Sequence, residues 1–195
     1  MIHAIVLGAG MSKRMGNKNK LMIKLKKDTI LKKTVKNILA SNINSCTIVL
    51  GYEYKLALND LRELNIDTVI NKYYKEGLSS SIKAGIRRIK ANRRAVMICL
   101  GDMPFIKTAT YNQLIENFIK GKTKKKIVIP YYKNLKGNPI IFSHHFFCSL
   151  KSLKGDYGAK QLVADNKSFS LNITVEDRGV VSDIDTKVDL KLFLK

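Results

Sequence analysis

The sequence predicts an α/β fold: a single doubly wound, mainly parallel sheet with helices on both faces, with residues 1–195 forming one domain. Three observations predict it. Short apolar runs rich in β-branched residues alternate with segments of helical period, which is the pattern of βαβ units. The most apolar run, Ala95-Val96-Met97-Ile98-Cys99-Leu100, shows no polar alternation, as expected of a central strand buried on both faces. No internal repeat and no linker rich in Pro, Gly or Ser divides the 195 residues, a length that suits one substantial core.

The elements follow in order. His3–Leu7 is the first strand, and Thr29–Ser41 is a helix with Leu31, Val35, Ile38 and Leu39 on one face. Cys46–Leu50 is a second strand stopped by Gly51, Tyr54–Leu64 a helix carrying Leu58, Leu61 and Leu64, and Asp67–Ile70 a third strand. One of Ser79, Ser80 and Ser81 caps a helix that runs to about Asn92, with Ile82, Ile86 and Ile89 facing inward. After the central strand, Thr108–Lys120 is amphipathic through Tyr111, Leu114, Ile115, Phe118 and Ile119. Ile127–Ile129, Pro139–Phe142 and Phe169–Val175 read as further strands, and Lys187–Leu194 as a final helix.

The formal charge of +21, from 36 Lys+Arg against 15 Asp+Glu, raises nucleic acid and anionic membranes as partners. Lysine is spread everywhere, however, including Lys24, Lys26, Lys27 and the run Lys122-Thr123-Lys124-Lys125-Lys126, and such runs read as solvated surface. Aromatic content is only 8% and no base-stacking or groove-reading motif is present, so a non-catalytic nucleic-acid-binding domain is the distant alternative. Cys46, Cys99 and Cys148 lie far apart without a C-x-x-C pair, which argues against a zinc site or a disulfide framework. No charged-then-apolar leader precedes the first strand, and no apolar run approaches the ~18 residues of a membrane span, so the expectation is a cytoplasmic protein.

The most informative stretch is Leu7-Gly8-Ala9-Gly10-Met11-Ser12-Lys13-Arg14-Met15-Gly16, with Lys20 close behind. A strand that runs into glycines and then into fixed positive charge is a phosphate-binding device, because glycines let backbone N–H groups approach an anion closely. Two familiar phosphate loops are excluded. The dinucleotide fingerprint needs a third glycine where Lys13 stands, and the P-loop needs Gly-Lys-Ser/Thr where Met15-Gly16-Asn17 stands. Asp102 follows the central strand at once, with Pro104 holding Met103 extended. Strand ends gather ligands in such sheets, so Asp102 and Gly8–Gly10 converge there. One carboxylate beside a triphosphate site suffices to anchor a hard Mg²⁺ ion. Asp183 and Asp185, two apart in an extended segment, point to opposite faces, so one of them reaches that site.

These residues resemble a family. The pattern from Gly8 to Gly16 with Lys20 is similar to the opening motif of the MobA-like nucleotidyltransferases. Gly77-Leu78-Ser79-Ser80-Ser81 with Ala84-Gly85 resembles the molybdenum cofactor cytidylyltransferase branch, and Gly101-Asp102-Met103-Pro104 its metal motif. Gly137-Asn138-Pro139, Gly155-Asp156-Tyr157-Gly158-Ala159 and Asp183-Ile184-Asp185-Thr186 complete the series in family order. The resemblance implies a Rossmann-like fold and transfer of CMP from CTP to the phosphate of a pterin cofactor, with Mg²⁺, release of pyrophosphate, and delivery to a molybdenum hydroxylase or its chaperone. Alternatives within the same chemistry are GTP as donor, or a sugar or polyol phosphate as acceptor.

By the same resemblance Arg14 and Lys20 hold the triphosphate, with Lys18 as a possible substitute for Lys20, and Asp102 with Asp185 holds the metal. Leu7, Gly8, Ala9, Gly10, Gly77, Ser79, Ser80 and Ser81 complete the nucleotide site. Asn138, Pro139, Gly155, Asp156 and Gly158 form the acceptor side.

Overall fold

The first strand in the chain becomes the organising strand of the sheet. In the computed structural model, which describes residues 1–12, 19–89 and 93–184, β1 (Ile2–Gly8) is buried along its whole length. The other strands are β2 (Lys24–Leu25), β3 (Asp28–Thr29), β4 (Ser45–Leu50), β5 (Asp67–Ile70), β6 (Ala95–Leu100), β7 (Ile127–Tyr132), β8 (Leu135–Lys136), β9 (Ile140–Ser143) and β10 (Ser170–Thr174). The helices are α1 (Ile30–Leu39), α2 (Tyr54–Leu61), α3 (Leu78–Ile86), α4 (Thr108–Lys120), α5 (Phe147–Lys151) and α6 (Lys160–Asp165).

Among the described residues, one sheet runs in the order β10-β7-β9-β6-β1-β4-β5, with β8 hairpinned onto β7 and β2-β3 forming a separate small ribbon. The strands β5, β4, β1 and β6 are parallel, as are β7 and β10. The mainly parallel α/β sheet expected from the sequence is therefore present. Along the sheet's path β9 interrupts it, antiparallel to both β6 and β7, while β8 is antiparallel to β7. Only residues 133–139, which include β8, separate β7 from β9, too few for the dozen or more that a parallel crossover needs.

Successive side chains of β1 serve opposite faces. Ala4 and Val6 join the core with Leu31, Val35 and Ile38 of α1 and Leu114 and Ile115 of α4. Ile5 and Leu7 join the other, with Ile82 and Ile86 of α3 and Leu150 of α5. This period of two, matched by helices whose apolar residues recur on one face, produces the three layers. Thr29 Oγ1 caps α1 by accepting from Lys32 N at 3.0 Å.

Several local expectations need correction. None of the three serines is the N-cap of α3. Gly77 holds that position, and the serines lie inside the helix, which ends at Ile86. The Ile127–Ile129 strand extends to Tyr132 and turns back as the β8 hairpin. Lys126 is not solvated: it is 7% exposed, and its ammonium donates to the Gly121 carbonyl and lies 4.8 Å from the Phe118 ring centroid. The final helix expected over Lys187–Leu194 lies outside the described residues. No helix among the described residues is long and apolar enough to cross a membrane.

His3 is a buried titratable group within β1. Its ring nitrogens are 2.7 Å from Ser45 Oγ and 3.0 Å from Thr47 Oγ1. Burial first, and then the Arg93 charge, push its pKa down to about 4. An unfolded histidine binds its proton near pH 6.5. Protonation therefore favours the unfolded chain, and the stability present above pH 6.5 is lost as pH falls toward 4. We expect this group to remove about 3 kcal/mol across that window. The difference between wild-type and His3→Gln melting curves checks it. Parallel pH profiles for the two proteins would contradict the assignment.

Candidate nucleotide-binding site

The site begins where β1 and β6 end side by side. Gly101 N donates to the Leu7 carbonyl at 3.0 Å, and a Cβ at Gly101 would lie 2.9 Å from that same oxygen. Only glycine permits this approach, and it delivers Asp102 to the loop that follows β1. In that loop Ser12 takes a left-handed φ of 53°, and its hydroxyl accepts from Lys20 N at 3.1 Å. Asn19 Oδ1 accepts from Leu21 N and so starts the short 3-10 turn Lys20–Met22.

The result is a close pair. Lys20 Nζ lies 2.6 Å from Asp102 Oδ2, with the two side chains 13% and 16% exposed. The other carboxylate oxygen, Oδ1, is buried and has no hydrogen-bond partner among the described residues. Unsatisfied buried carboxylate oxygens are costly, and their persistence marks a place where a ligand completes the shell.

A second wall comes from α3. Its first N–H, that of Leu78, donates to Asp156 Oδ1 at 2.9 Å, so the cap missing from the local sequence is supplied from 78 residues away. Ser79 N donates to the Gly155 carbonyl at 3.3 Å, and Ser79 Oγ donates to the Lys154 carbonyl at 3.1 Å. Gly77 has φ of 97°, and a Cβ there would sit 2.9 Å from the Asp156 backbone. The loop around Asp156 is thereby fastened to the start of α3. Between the two walls lies a cleft of about 570 Å³.

The sequence-selected residues distribute as follows. Leu7, Ala9, Gly10, Lys20, Gly77, Ser81, Asp102 and Asp156 line the cleft. Gly8 lies beneath it, where a Cβ would contact Leu50, Leu31 and Leu21. Ser79 and Ser80 spend their hydroxyls on backbone carbonyls. Gly158 packs against Leu78, on the far side of the fastened loop. Asn138 and Pro139 do not line the cleft. Asn138 N donates to the Val180 carbonyl at 2.8 Å, joining that segment to the 178–181 turn. That turn leads to Ile184, whose N–H donates to the Asp102 carbonyl at 3.2 Å. The chain thus returns to the Asp102 segment immediately before Asp185. Arg14, Asp185 and the alternative Lys18 lie outside the described residues, and Asp183 is exposed.

Sequence reasoning missed Asn71 and Tyr74. Tyr74 lines the cleft. Asn71 is buried just after β5, bonded to Ser80 and Ser81. The one available signal was a polar residue placed directly after a strand of the parallel set.

A glycine-containing loop, a lysine and a carboxylate gathered at the carboxyl ends of parallel strands are the arrangement that α/β nucleotidyltransferases use to hold a nucleotide's phosphates. Comparison with known proteins makes the assignment specific. The chain belongs to the MobA-like NTP transferase domain family, whose model matches residues 4–170. It is 25% identical over 189 residues to the molybdenum cofactor cytidylyltransferase of Escherichia coli (strain K12), covering 96% of this chain and 93% of that protein. It is 26% identical over 195 residues to the purine catabolism protein PucB of Bacillus subtilis (strain 168), covering 93% and 90%. The homologue of Mycobacterium tuberculosis Rv0371c from Mycobacterium sp. strain JC1 superposes with a TM-score of 0.88 at 26% identity, covering 99% and 94% of the two chains.

Proposed function

We infer that this nucleotidyltransferase uses CTP and a phosphorylated pterin cofactor, with Mg²⁺, and that its product serves a molybdenum hydroxylase or its chaperone. The observation that carries the reading is the Lys20–Asp102 pair with its unpartnered buried oxygen in the cleft. The motif series and the likeness to the cytidylyltransferase of Escherichia coli support the choice of substrates.

The donor set fits a hard divalent cation. Mg²⁺ takes one or two carboxylates and fills its other positions with phosphate oxygens and water, and Asp102 Oδ1 is buried without a partner. Among the described residues no group of three His, Cys, Asp or Glu side chains gathers, so Asp102 is the anchor here, with Asp185 as the second carboxylate. When bound, the cation supplies charge neutralisation for the triphosphate.

The chain's own residues do the rest. Gly8–Gly10 let backbone approach the phosphates, and Lys20 holds the departing pyrophosphate through its ammonium. A phosphate oxygen of the acceptor forms a bond to the α-phosphorus, and the bond from that phosphorus to the oxygen bridging it to the β-phosphorus breaks. Pyrophosphate leaves with the electron pair. No side chain is covalently modified. Catalysis rests on alignment and charge.

Thermal melting with CTP, GTP, ATP and UTP, each with and without Mg²⁺, tests this reading. A ligand at a hundred times its Kd stabilises the native state by about 2.7 kcal/mol, a shift of roughly 5–10 °C for a chain of this size. The expected result is a CTP-selective shift that requires the metal. A GTP-selective shift changes the base and keeps the class, and no shift with any nucleotide overturns the reading.

A further inference from the structure

Three serines open α3, and their hydroxyls are not equally free. Ser79 Oγ donates to the Lys154 carbonyl. Ser80 Oγ has the Tyr73 and Gly77 carbonyls at 2.9 and 2.8 Å to receive its hydrogen. Ser81 differs. Its oxygen accepts from Asn71 Nδ2 at 3.1 Å, and among the described residues nothing accepts its hydrogen. A hydroxyl carries one hydrogen, so a donor fixed on the oxygen turns that hydrogen away from the donor. Ser81 lines the cleft.

Asn71 has no other way to sit. It is 4% exposed, and its backbone N–H donates to the Leu50 carbonyl at 2.7 Å. Its Oδ1 accepts from Tyr73 N at 3.0 Å, which settles the two ends of the amide. Nδ2 then faces the serines, with one hydrogen for Ser80 at 2.8 Å and the other for Ser81. An amide so placed can only donate to Ser81, which leaves the Ser81 hydrogen, without an acceptor among the described residues, to point toward the cleft.

The surroundings indicate what receives that hydrogen. Ser81 enters the cleft from the α3 side, where Leu7 and Leu78 pack in one core with Ile82. Lys20 precedes Leu21, which belongs to the opposite core. Phosphates are held on the Lys20 side, and the apolar α3 side suits a flat base with acceptor atoms on its edge. We propose that Asn71 is a positioning residue that fixes the Ser81 hydroxyl as a hydrogen-bond donor to an acceptor atom of the nucleotide base. The proposal rests on the nucleotidyl-transfer reading above. It adds a specificity element, since a site built to donate at one point rejects a base that does not accept there.

Calorimetric titration of the full chain with CTP and with inorganic triphosphate, both with Mg²⁺, tests it. Ser81→Ala should weaken CTP about tenfold and leave inorganic triphosphate unchanged. Asn71→Asp keeps the shape but accepts where the amide donated, so it draws the serine hydrogen back from the cleft. Its added charge acts alike with and without Ser81, so the comparison between backgrounds isolates the hydroxyl. The affinity penalty of Asn71→Asp should be about tenfold smaller in the Ser81→Ala background than in the wild type. Equal penalties in the two backgrounds overturn the proposal, as does an equal loss of CTP and triphosphate binding in Ser81→Ala. Should Asn71→Asp fail to fold, Asn71→Ser, which is too short to reach Ser81, enters the same comparison. Wild-type protein that prefers no nucleotide over inorganic triphosphate would defeat the nucleotide reading itself.

Discussion

Asp102→Asn is expected to lower nucleotidyl transfer by about a hundredfold or more, the size that loss of one charge-stabilising group carries, while the unliganded melting temperature moves by only a few degrees. The two effects separate because the two carboxylate oxygens do different things. Oδ2 holds Lys20 at 2.6 Å, and asparagine sacrifices that attraction. Oδ1 is buried without a partner among the described residues, a condition that costs the native state about 1–3 kcal/mol. Replacing the carboxylate by a neutral amide relieves part of this charge burial, so the stability terms oppose each other. Catalysis has no such offset, since on the proposed reading the carboxylate charge is what would hold the cation. Initial rates of pyrophosphate release, set beside melting curves, check both halves. Turnover within threefold of wild type would remove Asp102 from the chemistry.

Gly179→Ala carries the largest expected stability effect. A Cβ at Gly179 would stand 2.5 Å from the Phe105 carbonyl oxygen and 2.7 Å from Ile106 N. Both are backbone atoms, which cannot rotate aside as a side-chain end could. The loop they belong to begins at Asp102 and is tied down further by Asp177, whose Oδ2 accepts from Lys107 N and Thr110 Oγ1. Overpacking against fixed neighbours costs about 1–3 kcal/mol, here at the upper end, which corresponds to a melting-temperature loss of roughly 6–12 °C. Turnover should fall as well, because the same turn leads to the contact between Ile184 N and the Asp102 carbonyl. Gly10→Ala serves as the comparison, since a Cβ there meets nothing within 4 Å and the melting temperature should hold. Equal melting temperatures for Gly179→Ala and wild type would show that the 103–106 loop yields freely.

Much of the fold was legible because its signals are local. An apolar run in β1, a run without alternation in β6 and recurring apolar residues in α1 and α4 are each written within a dozen residues, and each appears where expected. The antiparallel β9 was less legible, since its direction follows from the short 133–139 return after β7, which includes β8, whose residues are exposed and carry little pattern. In the site, Gly8–Gly10 and Asp102 were readable as chemistry because each follows a strand at once. Their meeting through Gly101 and Leu7 was an inference from sheet topology that the backbone contact now makes concrete.

The serines of α3 show where local reading stops. Three like residues in a row give no hint that Ser79 fastens the loop at Lys154, that Ser80 serves its own turn, and that Ser81 faces the cleft under the control of Asn71. The cap that a serine was expected to provide comes instead from Asp156. Local hydrophobic periodicity and turn chemistry were enough for the α/β class and the strand ends, because burial and backbone conformation act between near neighbours. The division of labour among the serines, the pairing of Lys20 with Asp102 and the roles of Asn71 and Gly179 were decided by tertiary structure alone, because each depends on a hydrogen bond, an ion pair or a steric contact to a group that only folding brings within reach.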